Sequence, residues 1–207
     1  MLTALDHVLL GINDLDRGVN WVEKLTGVRA VQGGAHPGRG TRNALLALGP
    51  TCYLEIIAPD PQQQSPAWFS QILTTAEPRL ITWAAHTPDI AALAKGAQSA
   101  GFEIDGPHDG ARTRPDGKTL LWKSFRLKDD RGGLLPFFIE WSRDSVHPAQ
   151  DAPPGCQIEN LDLYSPDSGE LMHVLRALSL NVSVAPAEKP RMLLRLKTPR
   201  GEVEFTS

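Results

Sequence analysis

In the first third of the chain, the spacing of apolar residues changes from that of a strand to that of a helix and back again. Residues 6–12 form a run rich in β-branched and aliphatic residues that is typical of a strand, and the Asn13-Asp14 pair that follows offers side-chain oxygens to cap a helix. Apolar residues then recur at helical spacing: Leu15, Val19, Val22 and Leu25. Three further strand-like runs lie at residues 28–31, 43–48 and 52–58. This stretch therefore predicts the element order βαβββ.

The same order recurs twice along the chain. A second copy has strand-like runs near Glu103 and at residues 80–86, 119–127 and 136–141, with a helix that begins after Thr87-Pro88-Asp89. A third copy has runs at residues 158–164, 181–184, 192–197 and 202–205, with a helix after Ser165-Pro166-Asp167. Three copies of one supersecondary unit predict an α+β fold of tandem βαβββ modules. We place the modules at residues 1–62, 78–146 and 156–207.

The composition excludes some classes of partner but does not identify a function. The 207 residues carry a net charge of -3, which gives no electrostatic footprint for nucleic acid or an anionic membrane. The N-terminal residues lack the regions of a signal peptide, and no apolar run is long enough for a membrane span. Cys52 and Cys156 fit no disulfide or metal spacing, so we expect buried thiols. The sequence thus predicts a cytoplasmic protein whose partner is a small molecule, not nucleic acid or a membrane.

Three ionisable residues stand in the middle of apolar strands: His7, Glu55 and Glu140. Side chains alternate faces along a strand, so His7 shares a face with Leu9, and the two glutamates occupy corresponding places in the last strands of two modules. A buried carboxylate without a partner is strongly destabilising, and a metal ion, a buried cation or water in a cavity would relieve it. The alternative is purely structural, with His7 bonded to backbone and both glutamates paired with hairpin arginines or lysines.

These residues and their surroundings resemble a known group of proteins. A strand with an inward histidine, paired βαβββ modules, and glutamates in YLEII and FFIEW look like the vicinal oxygen chelate superfamily. More narrowly, GGAHPGRGTRNALLALGPTCYLEII at residues 33–57 and LPFFIEWSRDSVHP at residues 135–148 resemble its glyoxalase-like domain proteins. The resemblance implies that two modules close into one cupped barrel of mixed sheet, with the third module appended. It covers residues 3–148 well and the third module only by pattern.

The resemblance also implies a divalent metal in the cup, held by His7, Glu55 and Glu140. The fourth ligand position falls on Thr82, and threonine is a poor ligand. Mixed imidazole and carboxylate ligation suits Zn, Mn, Fe or Ni without choosing among them. Such a metal implies lyase or isomerase chemistry on a small vicinal-oxygen or carbonyl substrate, with Glu55 or Glu140 as the catalytic proton shuttle. In the third module, Asn160 and Glu204 match the positions of His7 and Glu55.

Further polar residues are candidates for binding the substrate. His36, Arg42 and Asn43 lie in or beside a glycine-rich loop at the expected mouth of the cup, where glycines let the backbone approach a ligand. The alternative is a glycine-stabilised hairpin with solvated charges. Trp122 and Arg126 share one strand face. If that face points inward, Arg126 can receive a carboxylate or phosphate, and if it points outward these are surface residues.

A metal-free small-molecule binding protein of the bleomycin-resistance type is the alternative function. Its cup would be lined by aromatic residues, for which the candidates are Trp83, Trp122, Phe138 and Trp141. An unpaired third module has exposed sheet edges and half a core, so it is expected to pack on its own barrel or on a second copy in a homodimer.

Overall fold

A computed structural model describes residues 4–64, 77–114 and 116–207. Residues 1–3 of the first predicted module lie outside the described residues. The first module contains β1 (Ala4–Gly11), α1 (Leu15–Thr26), β2 (Val31–His36), β3 (Thr41–Gly49) and β4 (Cys52–Pro59). The second contains β5 (Arg79–His86), α2 (Ile90–Ser99), β6 (Ile104–Thr113), β7 (Thr119–Leu127) and β8 (Phe137–Trp141). After a short 3-10 helix (Pro148–Gln150) come β9 (Gln157–Ser165), α3 (Ser168–Ala177), β10 (Ser183–Pro186), β11 (Arg191–Thr198) and β12 (Gly201–Thr206).

The first eight strands close into a barrel in the order β1-β4-β3-β2-β6-β7-β8-β5. Strand β1 pairs in parallel with β4 and antiparallel with β5, so it joins the two modules on one side. On the other side, β2 and β6 meet through one residue pair, Ala35 and Thr113. The α+β fold and the closed mixed barrel are therefore confirmed.

The helices begin where the sequence predicted. Asp14 precedes α1 and its carboxylate accepts from the backbone N–H of Arg17 at 2.9 Å, while Asp89 caps α2 by accepting from Ala92 at 2.9 Å. Helix α1 ends at Gly27, whose φ of 79° lies in the left-handed region that favours glycine. None of the helices in the described part of the chain has the length and apolar character needed to cross a membrane.

The second strand of the first module lies later than predicted. The expected strand at residues 28–31 is mostly loop, and the segment VQGGAH expected to be a glycine-rich turn is strand β2. Gly33 lies against the side chains of Arg112 and Asn43, and a Cβ at this position would collide with both. Gly34 has a φ of 131° beside the Thr113 carbonyl, at a shift in the β2–β3 register. Both glycines allow close approach inside a sheet, a role that composition does not distinguish from a turn.

The third module keeps the element order of the other two but not their strand order. Its sheet runs β10-β9-β11-β12, so β11 separates β9 from β12. The expected equivalence of Asn160 with His7, and of Glu204 with Glu55, is therefore wrong. Arg195 lies between these two residues in register, and its guanidinium bonds to Glu204 at 2.8 Å and to Asp162 at 2.6 Å.

The third module shares its hydrophobic core with the barrel. Phe205 of β12 is 2% exposed, and its ring lies 5.5 Å from that of Trp21 on α1. Leu163, Leu194 and Leu196 belong to the same buried cluster as Val8 of the barrel. The Arg200 guanidinium also donates to the carbonyl of Lys24 at the end of α1.

This shared core predicts that the third module and the barrel unfold together. Phe205→Ala should lower the free energy of unfolding by about 3 kcal/mol, because it removes a buried ring and leaves a cavity. Thr206→Ala, an exposed change on the same strand, should have almost no effect. Chemical denaturation followed by circular dichroism and tryptophan fluorescence should give one coincident transition in all three proteins. Two separate transitions in the wild type would contradict the shared core.

Candidate active site

The barrel encloses a cavity of about 390 Å³ lined by the inward side chains of its strands. Residues buried at its inner end are His7, Thr41, Asn43, Tyr53, Glu55 and Arg112. Gly38, Arg39, Asp105, His108 and Arg126 line it too but are exposed, so they mark its mouth. Apolar and aromatic side chains supply much of the remaining wall: Leu9, Ile57, Trp122, Phe137, Ile139 and Trp141. A small organic molecule fits a cavity of this size and lining.

His7 is held from its outer side by the residue before it. Asp6 is the extra residue at an irregularity in the β1–β5 pairing, where the register passes from Leu5 to His7. Its carboxylate lies 2.6 Å from Nδ1 of His7 and also accepts from Trp141 Nε1 at 3.0 Å. The His7 ring stacks on Tyr53 with 4.5 Å between ring centres. Asp6 thus fixes the orientation of the imidazole and directs Nε2 into the cavity.

Sequence reasoning missed Asp6 because strand alternation places adjacent residues on opposite faces. The one available signal is the Asp-His pair itself, since an acidic neighbour is the partner that orients an imidazole. His147, which follows β8, lies 3.2 Å from the same carboxylate. Burial alone would raise the pKa of Asp6, but the hydrogen bonds from His147 and His7 hold that pKa well below its usual range.

Glu55 lies beside His7, on the neighbouring strand β4, at the inner end of the cavity. One of its oxygens lies 3.4 Å from Nε2 of His7, and the other accepts from Asn43 Nδ2 at 2.6 Å. The Asn43 carbonyl in turn accepts from Nη1 of Arg112 at 2.8 Å. Asn43 therefore links a buried guanidinium to a buried carboxylate, and the two partners fix which way its amide points. Burial by itself would raise the pKa of Glu55, but His7, His36 and the Asn43 hydrogen bond together lower it.

His36 lies on the other side of the same carboxylate. Its Nε2 is 3.7 Å from Glu55 and 3.3 Å from the amide nitrogen of Asn43, and its Nδ1 is 2.9 Å from the hydroxyl of Thr41. An Nδ1–H that donates to Thr41 leaves Nε2 as the acceptor that faces the Asn43 amide. Burial is the main cause that lowers the pKa of His36 to about 4. The sequence placed His36 in a loop at the mouth, whereas it ends β2 and is buried.

Glu140 does not join this site, which corrects the prediction that it faces the cup. Along β8, Phe137, Ile139 and Trp141 line the cavity, and the intervening Glu140 points to the other side of the sheet. There its carboxylate accepts from the backbone N–H of Ile90 at 2.7 Å, at the start of α2. The negative charge suits the N-terminus of that helix. The sequence-based prediction therefore placed the wrong face of this strand toward the cup.

Alternation also places two other groups of predicted residues. Arg42 lies between the cavity-lining Thr41 and Asn43, so its side chain is outside the cavity, contrary to the expectation of a binding role. Trp122, Ser124 and Arg126 do line the cavity, and their part in binding stays a prediction. Of the four expected aromatic residues, Trp122 and Trp141 line the cavity. Trp83 and Phe138 are fully buried in the hydrophobic core instead.

The predicted metal centre does not fit the arrangement of side chains. Glu140 is on the far side of its sheet, and the fourth position is Thr82, which lines the cavity but is a poor ligand. Among the described residues, no group of three or more His, Cys, Asp or Glu side chains is arranged to hold a metal ion. His7 and Glu55 are the two members of the predicted set that the fold brings together.

The family to which this barrel and site belong is shown by sequence. The glyoxalase-like domain family matches residues 5–179, which include both barrel modules and the first strand and helix of the third. The chain belongs to this family and, with it, to the vicinal oxygen chelate superfamily. No curated protein matches the sequence at a significant level.

Solved structures support the same fold. A hypothetical protein from Staphylococcus aureus is similar over 99% of this chain and 85% of its own, with 18% identity and a TM-score of 0.69. A methylmalonyl-CoA epimerase from Streptomyces coelicolor, solved with 2-nitronate-propionyl-CoA, is similar over 70% of this chain and 99% of its own. Its identity is 18% and its TM-score 0.52. The first of these similarities extends through the third module, and the second covers a length close to that of the barrel.

The low pKa of His36 predicts a pH dependence of stability with a definite sign. In the unfolded chain, His36 gains a proton as the pH falls below the ordinary pKa of histidine. In the folded protein His36 stays neutral until about pH 4, so acid destabilises the fold. As the pH falls from about 7.5 to about 5, protonation of His36 in the unfolded chain should lower the free energy of unfolding by about 2 kcal/mol. His36→Gln should remove that loss, and His173→Gln, an exposed histidine on α3, should not. Urea denaturation at both pH values measures it, and equal pH dependence in all three proteins would contradict the burial of a neutral His36.

Proposed function

We propose that this chain is an enzyme that moves a proton on a small carbonyl-containing molecule bound inside the barrel, in the manner of an isomerase or lyase. The observation that carries the proposal is the pair formed by His7 and Glu55. Both are buried at the inner end of an open cavity, 3.4 Å apart, and both are held by further side chains. An oriented imidazole beside an ionised carboxylate is an arrangement that accepts and returns protons.

Each group has a defined part in such a reaction. Glu55 stays ionised because its pKa is lowered, so it can accept a proton from the carbon beside a carbonyl group. The electrons of the broken C–H bond then move onto the carbonyl oxygen as an enolate. His7, oriented by Asp6, lies close enough to Glu55 to relay the proton. Asn43 and Arg112 keep Glu55 in place and in its ionised form.

No step of this proposal passes through a metal ion. Of the predicted ligands, the described residues bring only His7 Nε2 and Glu55 together, which is fewer than the three protein ligands of a catalytic metal site. Plasma mass spectrometry on protein purified without chelator tests for a bound metal. Stoichiometric metal that is lost in His7→Ala would contradict the metal-free form of the proposal.

Replacing Glu55 should abolish proton transfer, whereas replacing Glu140 in the same way should not. In deuterated water, NMR follows the exchange of carbon-bound protons in 2-oxo acids, hydroxy ketones and malonyl thioesters. The last class is included because the Streptomyces coelicolor neighbour is a methylmalonyl-CoA epimerase. Glu55→Gln should slow the exchange by about a hundredfold or more, since the amide cannot accept the proton. Glu140→Gln should keep the wild-type rate and lose only a little stability at the start of α2.

Exchange at equal rates in the wild type and in Glu55→Gln would contradict the proposal, as would the absence of exchange with every compound.

A second function, metal-free ligand sequestration, draws support from the aromatic wall formed by Tyr53, Trp122, Phe137 and Trp141. A sequestration protein should bind its ligand without changing it, and Glu55→Gln should leave that binding intact. Quenching of tryptophan fluorescence by a ligand that shows no proton exchange would favour this second function.

A further inference from the structure

Two arginines stand at the mouth of the cavity. Arg39 lies in the turn between β2 and β3, where its backbone N–H donates to the carbonyl of His36 at 3.0 Å. Arg126 lies on β7, on the inward face that it shares with Trp122 and Ser124. The two guanidinium groups therefore reach the same opening from different hairpins, one from each barrel module.

The acidic residues at the mouth have other partners. Asp105 pairs with His108 at 2.8 Å, and Asp130 accepts from the backbone N–H groups of Gly132 and Gly133. Asp105 also lies opposite Arg126 in the β6–β7 register, and the two charges attract each other. Within residues 4–64, 77–114 and 116–207, however, neither Arg39 nor Arg126 has a carboxylate within the 4.0 Å of an ion pair.

Like charges at one opening repel each other. Although Arg39 is exposed, the cavity wall removes part of the hydration of its guanidinium. This lost hydration first, and the positive charge of Arg126 second, lower the pKa of the Arg39 guanidinium. This means that the positive charge on Arg39 is less stable here than in water. An anion held between the two groups would relieve both the repulsion and the lost solvation, and a planar guanidinium binds carboxylate or phosphate oxygens through paired hydrogen bonds.

We infer that Arg39 and Arg126 form an oxyanion-binding site at the cavity mouth, which takes a carboxylate or phosphate group of the ligand. The rest of the ligand then extends inward along the aromatic wall toward His7 and Glu55. This inference rests on the proposed function for the identity of the ligand as a substrate, because the site lies at the entrance to the proton-transfer groups. It makes the substrate class an anionic carbonyl compound.

The probes for this site are malonate and inorganic phosphate, with malonamide as an uncharged analogue of malonate. Isothermal titration calorimetry of the full chain at low salt measures their binding. Arg39→Gln and Arg126→Gln should each weaken binding of the preferred anion about tenfold, and the double variant should abolish it, since each loses a charge-assisted hydrogen bond. Arg143→Gln, an exposed arginine that does not line the cavity, should bind as the wild type does. The preferred probe identifies the group as carboxylate or phosphate, and either preference supports the site.

Equal binding by the wild type and the double variant would overturn the inference, as would binding of malonamide as tight as that of malonate, or saturable binding of neither anion. Glu55→Gln separates this inference from the proposed function, because it removes the proton acceptor and leaves both arginines in place. Anion binding that persists in Glu55→Gln and is lost in the double arginine variant supports the site, even if the wild type catalyses no proton exchange.

Discussion

A buried imidazole held between two carboxylates organises the inner end of this barrel. His7 has Asp6 on its Nδ1 side at 2.6 Å and Glu55 on its Nε2 side at 3.4 Å, and all three side chains are shielded from solvent. Buried carboxylates are stable only with close partners, so the surrounding structure has to supply donors. Trp141 and His147 donate hydrogen bonds to Asp6. Asn43 donates to Glu55 and in turn accepts from Arg112. The polar side chains around the inner end of the cavity therefore allow these two carboxylates to stay buried and charged.

The strand order of the barrel makes this arrangement possible. Because β1 lies between β4 and β5, the His7 strand pairs directly with the Glu55 strand on one side. The irregular pairing with β5 on the other side turns Asp6 toward the residue that follows it. Gly33 leaves room for Arg112 to reach Asn43 from a strand of the second module. The second module thus contributes a cation to a site whose acid and base both come from the first.

Periodicity and turn chemistry were sufficient to predict the βαβββ order and the helix caps at Asp14 and Asp89, and the resemblance to the superfamily added the pairing of His7 with Glu55. They failed where a residue depends on partners distant in the sequence. Alternation left two choices of face for β8, and the position of α2 decides that Glu140 points to the helix. Asp6 is brought beside His7 by a local break in strand pairing. Gly33 and Gly34 were read as turn residues because composition does not reveal which side chain passes across a strand.

Imidazole NMR spectroscopy on nitrogen-15-labelled protein tests the central claim most directly, since it reports which ring nitrogen of His7 carries the proton and what that proton bonds to. The account predicts a solvent-protected N–H resonance far downfield, assigned to Nδ1 of His7. Replacing Asp6 by Asn should shift that resonance upfield or remove it, because the charged acceptor is gone, while Glu55→Gln should leave it in place. A His7 ring protonated only at Nε2, or an Nδ1–H signal that Asp6→Asn does not change, would contradict the account.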